Sequence, residues 1–292
     1  MVERKRYEGL TVAGTQQSGT VFLLGGNGKL GRMMQRIWQP ECFRVVPVSR
    51  TGQGIADGLC WSPGDHVPDV PNVIAVVALW GVTPGTDGLL QDNVRLAEEA
   101  MTFGKRIGAK VVLHCSSGAV YRPCLDPIPE TTPPDPQSPY GQSKWDMEQA
   151  IKVGATPGSP RQVIMRIGNV AGGDSLFANL RRGGKVTLDR FGDNVGASRS
   201  YIAPTDLARS IERLIVTPDA EGVFNIAAPK PTAMADLALA SDVAVEWRSA
   251  PPAAFPMMWL DTTRLNRLLT LGDDTSHGAY LVDSAHKAGA WK

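Results

Sequence analysis

Four polar side chains near the middle of this 292-residue chain could pass a proton between them. Ser116 and Ser117 follow the apolar run Val111, Val112, Leu113, and Tyr140 and Lys144 stand four residues apart beyond a proline-rich loop. On a helix that spacing puts a phenol and an ammonium on one face, about one turn apart. A strand-end hydroxyl, a tyrosine and a lysine make a proton-transfer site if the fold brings them together, with the phenol as acid and base.

The elements that must position them read as alternating strands and helices. Thr20 to Leu24 is a short apolar run bounded by glycine, the pattern of a buried parallel strand. GGNGKLG follows, then RMMQRIW, which reads as helix, so Gly25, Gly28 and Gly31 fall at a strand-to-helix turn. Glycine there lets backbone N–H groups, including those of Asn27, Lys29 and Leu30, approach a pyrophosphate at a helix N-terminus. A second strand, Phe43 to Val48, ends in Ser49-Arg50-Thr51. An NAD site usually places an acid there, for the ribose 2′-hydroxyl; a small hydroxyl followed by arginine suits a 2′-phosphate, so the cofactor is expected to be NADP or NAD, with NADP favoured. Weak strand character at 58–61 precedes a strong strand from Asn72 to Leu79, which runs into Trp80. Helices are expected over 92–107 and 140–153, with strands at 111–113 and 163–167. This alternation predicts an α/β, doubly wound parallel Rossmann sheet that takes ligands at the carboxyl ends of its strands.

Domain organisation follows. Residues 1–19 are expected as an arm, 20–170 as the nucleotide-binding domain to which 201–228 return, and 171–200 with 229–292 as a small substrate-binding lobe. The stretch from about Asp273 carries little pattern and reads as a tail. A formal net charge of +1 gives no field pointing to nucleic acid or membrane. No apolar run approaches the roughly 18 residues of a membrane span. The start, MVERKRYEGL, has no apolar core of a secretory signal, and four cysteines without a C-x-x-C pair read as reduced thiols, so a cytoplasmic enzyme is expected. The four histidines are dispersed without metal-ligand spacing, and no metal is expected.

Seven features in fixed order resemble the extended short-chain dehydrogenase/reductase superfamily, specifically its NAD-dependent epimerase/dehydratase type. They are the glycine triplet, the strand end Ser116-Ser117-Gly118-Ala119-Val120-Tyr121, and the Y-x-x-x-K of Tyr140 and Lys144. Arg166 with Asn169, the segment Arg199 to Ala208, the pair Asn225-Ile226, and Leu260 to Leu265 complete the set. The resemblance implies that Tyr140 is the general acid and base, that Ser117 orients the reacting C–O group, and that Lys144 holds the nicotinamide ribose while lowering the tyrosine pKa. It implies a cofactor-side role for Asn93, cofactor contact at Leu79 and Trp80, and substrate contact by Asn169 and Arg199. It also implies a homodimer joined through the helices at 92–107 and 140–153.

Departures from the family pattern narrow the expectation. Trp80 is bulky where a small residue is usual. Gly118 and Ala119 stand where the 4,6-dehydratases carry an Asp-Glu pair, which speaks against dehydration. The expected function is thus an NAD(P)-dependent epimerase or oxidoreductase acting on a sugar or nucleotide-sugar hydroxyl or carbonyl. The alternatives are an NADPH-dependent reductase of a non-sugar aldehyde or ketone, and a cofactor-binding protein without catalysis.

Overall fold

The computed structural model describes residues 19–52, 55, 57–192 and 196–290, so the expected arm at 1–19 lies almost wholly outside the described residues. In chain order the first half holds β1 (Thr20–Leu24), α1 (Lys29–Ile37), β2 (Arg44–Ser49), β3 (Leu59–Cys60), β4 (Val73–Ala78), α2 (Asp92–Arg106), β5 (Val111–Ser117), α3 (Pro139–Gly154) and β6 (Arg161–Ile167). The second half holds β7 (Asn169–Val170), α4 (Ser175–Leu180), β8 (Lys185–Arg190), β9 (Ser198–Arg199), β10 (Tyr201–Ile202), α5 (Pro204–Val216), β11 (Gly222–Ile226), β12 (Thr232–Ala233), α6 (Met234–Ala240), β13 (Ala244–Ser249), β14 (Met257–Met258), α7 (Thr263–Asn266) and α8 (Gly278–Lys287).

Seven of the strands form one parallel sheet in the order β11-β6-β5-β4-β1-β2-β3. The strands read as unbroken apolar runs because both faces are covered. Val21 and Leu23 face the core that holds Met33, Leu207, Ile211 and Leu281, while Phe22 and Leu24 face the core of Ala100 and Phe103. The chain leaves β1 in one direction toward β2 and β3 and resumes at β4 in the other. The resulting switch point, between β1 and β4, is where such sheets bind ligands.

The expected tail is corrected. Residues 273–276 form a 3-10 turn, and α8 then packs Leu281, Val282 and Ala285 into the main core. Its buried face is made largely of Gly, Ala and Ser, which carry little hydrophobic signal but let helices approach closely. The lobe read as irregular also contains order: β8 and β13, 59 residues apart, pair in parallel from Lys185↔Ala244 to Arg190↔Ser249.

One polar pair lies inside the sheet. Gln162 donates to Pro160 O, which turns its Oε1 toward His114, so the imidazole Nε2–H donates at 2.8 Å. Burial pushes the His114 pKa from 6.5 down to about 4. Between those values the unfolded chain binds a proton that the native chain refuses, so stability falls as pH falls through the window, by about 3 kcal/mol in all. Urea unfolding at the two ends of the window should show this loss in the wild type and a smaller one in His114→Asn. Equal losses would show that other groups carry the acid sensitivity.

Candidate active site

The sheet is parallel, so the glycine turn after β1, Ser49 at the end of β2, Leu79 and Trp80 after β4, Ser117 at the end of β5 and Asn169 after β6 all lie along its carboxyl edge. At the turn, α1 sits so close to the strand end that a Cβ on Gly31 would lie 2.2 Å from Gly25 O. The main chain of Trp80 crosses Gly25 directly; a Cβ there would come within 2.8 Å of Trp80 N. Gly28 caps α1 without a side-chain hydrogen bond, and the first turn carries no acid, so its N–H groups and dipole are left for an anion. These features fit the diphosphate of a dinucleotide. At the end of β2, Ser49 Oγ accepts from Gly52 N at 3.1 Å, and Arg50 is exposed beside it.

Trp80 lies half-buried, its ring stacked with that of Trp61 at 6.4 Å between centroids. Its indole also lines a cavity of about 10 Å³ with Asn93, His114 and Cys115. The bulky ring therefore turns in against the α2 side of the sheet, while the main chain and Cβ of Trp80 meet the glycine turn.

The start of α3 explains how Tyr140 reaches Ser117. Ser138 caps the helix by accepting from Gly141 N at 3.1 Å, and Pro139 follows at its first position. Gly141 allows the first turn to press onto the preceding loop, since a Cβ there would lie 2.2 Å from Ala119 O. Ser117 Oγ accepts from Ala119 N at 3.1 Å, and its hydroxyl lies near enough to the Tyr140 phenol to act on it electrostatically. Lys144 is 2% exposed, and its Nζ lies 5.9 Å from the centroid of the Tyr140 ring. The ammonium donates to Cys115 O at 2.9 Å and to Asn93 Oδ1 at 3.3 Å. Asn93 is itself fixed, accepting from Val82 N and donating to Val82 O and Ser143 Oγ.

The electrostatics depart from the expected lowering of the tyrosine. Burial holds the Tyr140 phenol well above its ordinary value of 10, with the Ser117 hydrogen bond pulling the other way. Burial lowers Lys144, opposed by the charge of Glu148. The lysine directs two of its donors to a carbonyl and an amide oxygen rather than to the phenol.

A buried network missed in the sequence holds this arrangement from behind. Glu148, one turn beyond Lys144, pairs with Arg166 at 2.7 Å, and both are almost fully buried. Glu148 also accepts from Ser116 Oγ at 2.6 Å, tying the end of β5 to α3. Arg166 donates to Tyr121 Oη at 2.6 Å, and Tyr121 donates to Asn225 Oδ1. The available signal was the extension of the Tyr140/Lys144 spacing by a further four residues to Glu148.

The two residues expected at the substrate are engaged with protein groups. Asn169 donates to Asp174 Oδ2, which Tyr201 Oη also reaches at 2.6 Å. Arg199 donates to the carbonyls of Ser198, Phe255 and Pro256, bracing the segment before β14. Separately, a cleft of about 500 Å³ opens at the carboxyl ends of β8 and β13, lined by Arg190, Phe191, Gly192 and residues of 249–254. The Arg190 guanidinium lies 5.2 Å over the Trp247 ring.

Solved structures share this architecture across nearly their whole length. MoeE5 in complex with UDP-glucose and NAD is 18% identical, with a TM-score of 0.74, over 93% of this chain and 99% of that one. UDP-N-acetylglucosamine 4-epimerase from Bacillus cereus is 19% identical, with a TM-score of 0.73, over 92% and 99%. TunA, an NAD-dependent NDP-hexosamine 5,6-dehydratase of tunicamycin biosynthesis, is 20% identical, with a TM-score of 0.70, over 90% and 96%. At these identities the likeness establishes the fold. No curated protein matches the sequence. The family model for NAD dependent epimerases and dehydratases matches residues 65–227, more than half of the chain and the span that carries Ser117, Tyr140 and Lys144, and the chain belongs to that family.

Proposed function

We propose that this protein is an NAD(P)-dependent epimerase or oxidoreductase that acts on a hydroxyl or carbonyl of a sugar or nucleotide sugar through Ser117, Tyr140 and Lys144. What supports the reading is that Ser117, at the end of β5, and Tyr140, on the first turn of α3, lie beside the Lys144 ammonium on the strand edge that also bears the glycine turn. The turn would hold the diphosphate, Ser49 and Arg50 the adenosine ribose, and Lys144 the nicotinamide ribose, where its third N–H remains to be used. When bound, the cofactor supplies hydride transfer. Tyr140 gives its proton to the substrate oxygen as a carbonyl becomes an alcohol, and takes it back in the reverse sense. Ser117 Oγ holds that oxygen in line. A neutral phenol suits the first role directly; the second draws on the nearby ammonium to stabilise the phenolate.

Residues 171–200 and 229–292 would form the substrate side. The cleft at Arg190 has the size of a small-ligand site, and an arginine beside an aromatic ring suits a nucleotide. Gly118 and Ala119 offer no acid to a leaving hydroxyl beside Ser117, which favours epimerisation or reduction over 4,6-dehydration. Val153 on α3 and Leu89 ahead of α2 are exposed apolar side chains, in keeping with a homodimer through these helices. Sedimentation of a monomer at micromolar concentration would count against it.

The test is titration of NADPH and NADH against tryptophan fluorescence, in the wild type and in Arg50→Ala. Arg50 at a 2′-phosphate predicts tighter binding of NADPH, and loss of that preference by about tenfold in the variant. Preference for NADH in the wild type would remove Arg50 from the cofactor site and favour a recycling epimerase. Binding of neither would remove the enzyme reading.

A further inference from the structure

The middle of the glycine turn carries a cation, Lys29, that backbone recognition of a diphosphate does not require. Its Nζ donates at 2.7 Å to Gly173 O, 144 residues away. Gly173 lies between β7 and α4, against the start of α1: a Cβ on it would lie 3.5 Å from Leu30 Cδ2. The lysine thus bridges the cofactor turn to the segment that leads into the second half of the chain. An ammonium has three donors, and the Gly173 carbonyl takes one. The charges around it are Arg181, Arg32 and Asp174. Arg32 donates to Asn27 O within the turn and Arg181 to Ala290 O, so both are held on protein carbonyls. Asp174 is occupied, accepting from Phe177 N, Asn169 and Tyr201. The charge near Lys29 is thus net positive, with Asp174 the carboxylate acting on it, which favours an anion at the turn.

We propose that Lys29 retains the dinucleotide: its ammonium, pinned on the Gly173 carbonyl at the rim of the glycine turn, pairs with the cofactor diphosphate and slows its release. The inference rests on the reading of the chain as an NAD(P) enzyme and goes beyond it. Slow release means that reduced cofactor stays to return its hydride, which selects internal recycling over exchange with the pool.

Release of NADH and NADPH by stopped-flow fluorescence decides it, in the wild type, Lys29→Met and Lys29→Arg, at low and high salt. Lys29→Met should release either cofactor about tenfold faster, with a flatter salt dependence, because the methionine keeps the stem and loses the charge-assisted bond. Lys29→Arg should restore most of the retention. Release from Lys29→Met at the wild-type rate would overturn the proposal, and so would a fast Lys29→Arg, since that would assign the effect to packing of the stem. A wild-type protein that binds neither cofactor would overturn the underlying reading as well, so the two failures are told apart by the wild type alone.

Discussion

Replacing Tyr140 by phenylalanine is expected to lower kcat by about 10² to 10⁴ while leaving cofactor affinity nearly unchanged. The variant removes one oxygen. The helix cap at Ser138, the close approach at Gly141 and the aromatic ring beside Lys144 all remain, so the site keeps its shape. What is lost is the phenolic proton, which burial favours keeping. Single-turnover rates with a panel of UDP- and dTDP-sugars, beside fluorescence titration of the cofactor, separate chemistry from binding. Turnover of the variant at the wild-type rate would remove Tyr140 from the chemistry. Loss of cofactor binding equal to the loss of rate would make it a binding residue.

The second large effect concerns stability. Arg166→Met should destabilise the fold by about 3–5 kcal/mol, because Glu148 is then left charged and uncompensated in the core. Adding Glu148→Gln should recover a large part of this, since the amide oxygen still accepts from Ser116 and the unpaired charge is gone. Urea unfolding of the two single variants and the double variant measures the coupling. Additive losses would mean that the pair contributes nothing as a pair. The double variant also bears on the site, because Glu148 fixes the end of β5 against α3 and its charge supports that of Lys144.

Much of this molecule was legible from local pattern. Runs such as Thr20–Leu24 and Val73–Ala78 announce strands covered on both faces, because an unpaired polar side chain is costly where helices lie on each side. The four-residue spacing of Tyr140 and Lys144 sets one helical face whatever surrounds it, and Ser138-Pro139 marks the helix start by the cap it makes. The glycine turn is legible for the same reason, since its geometry is decided within seven residues.

Other features belong to the tertiary structure alone. The Glu148–Arg166 pair, the Lys29–Gly173 bridge and the β8–β13 ladder each join groups far apart along the chain. The helix α8 looked like a tail because Gly278, Ser284 and Ala285 on its buried face dilute the apolar signal of Leu281 and Val282, and only the helices it packs against supply the reason for burial. Tyr140 is the sharpest case. The family resemblance implied a lowered phenol, but burial raises it, and the ammonium beside it is engaged at Cys115 O and Asn93. Local geometry is a property of neighbouring residues and can be read in order. Burial and charge are set by segments brought together only when the chain has folded, so the sequence determined which groups could react and the packing decided in what state they stand.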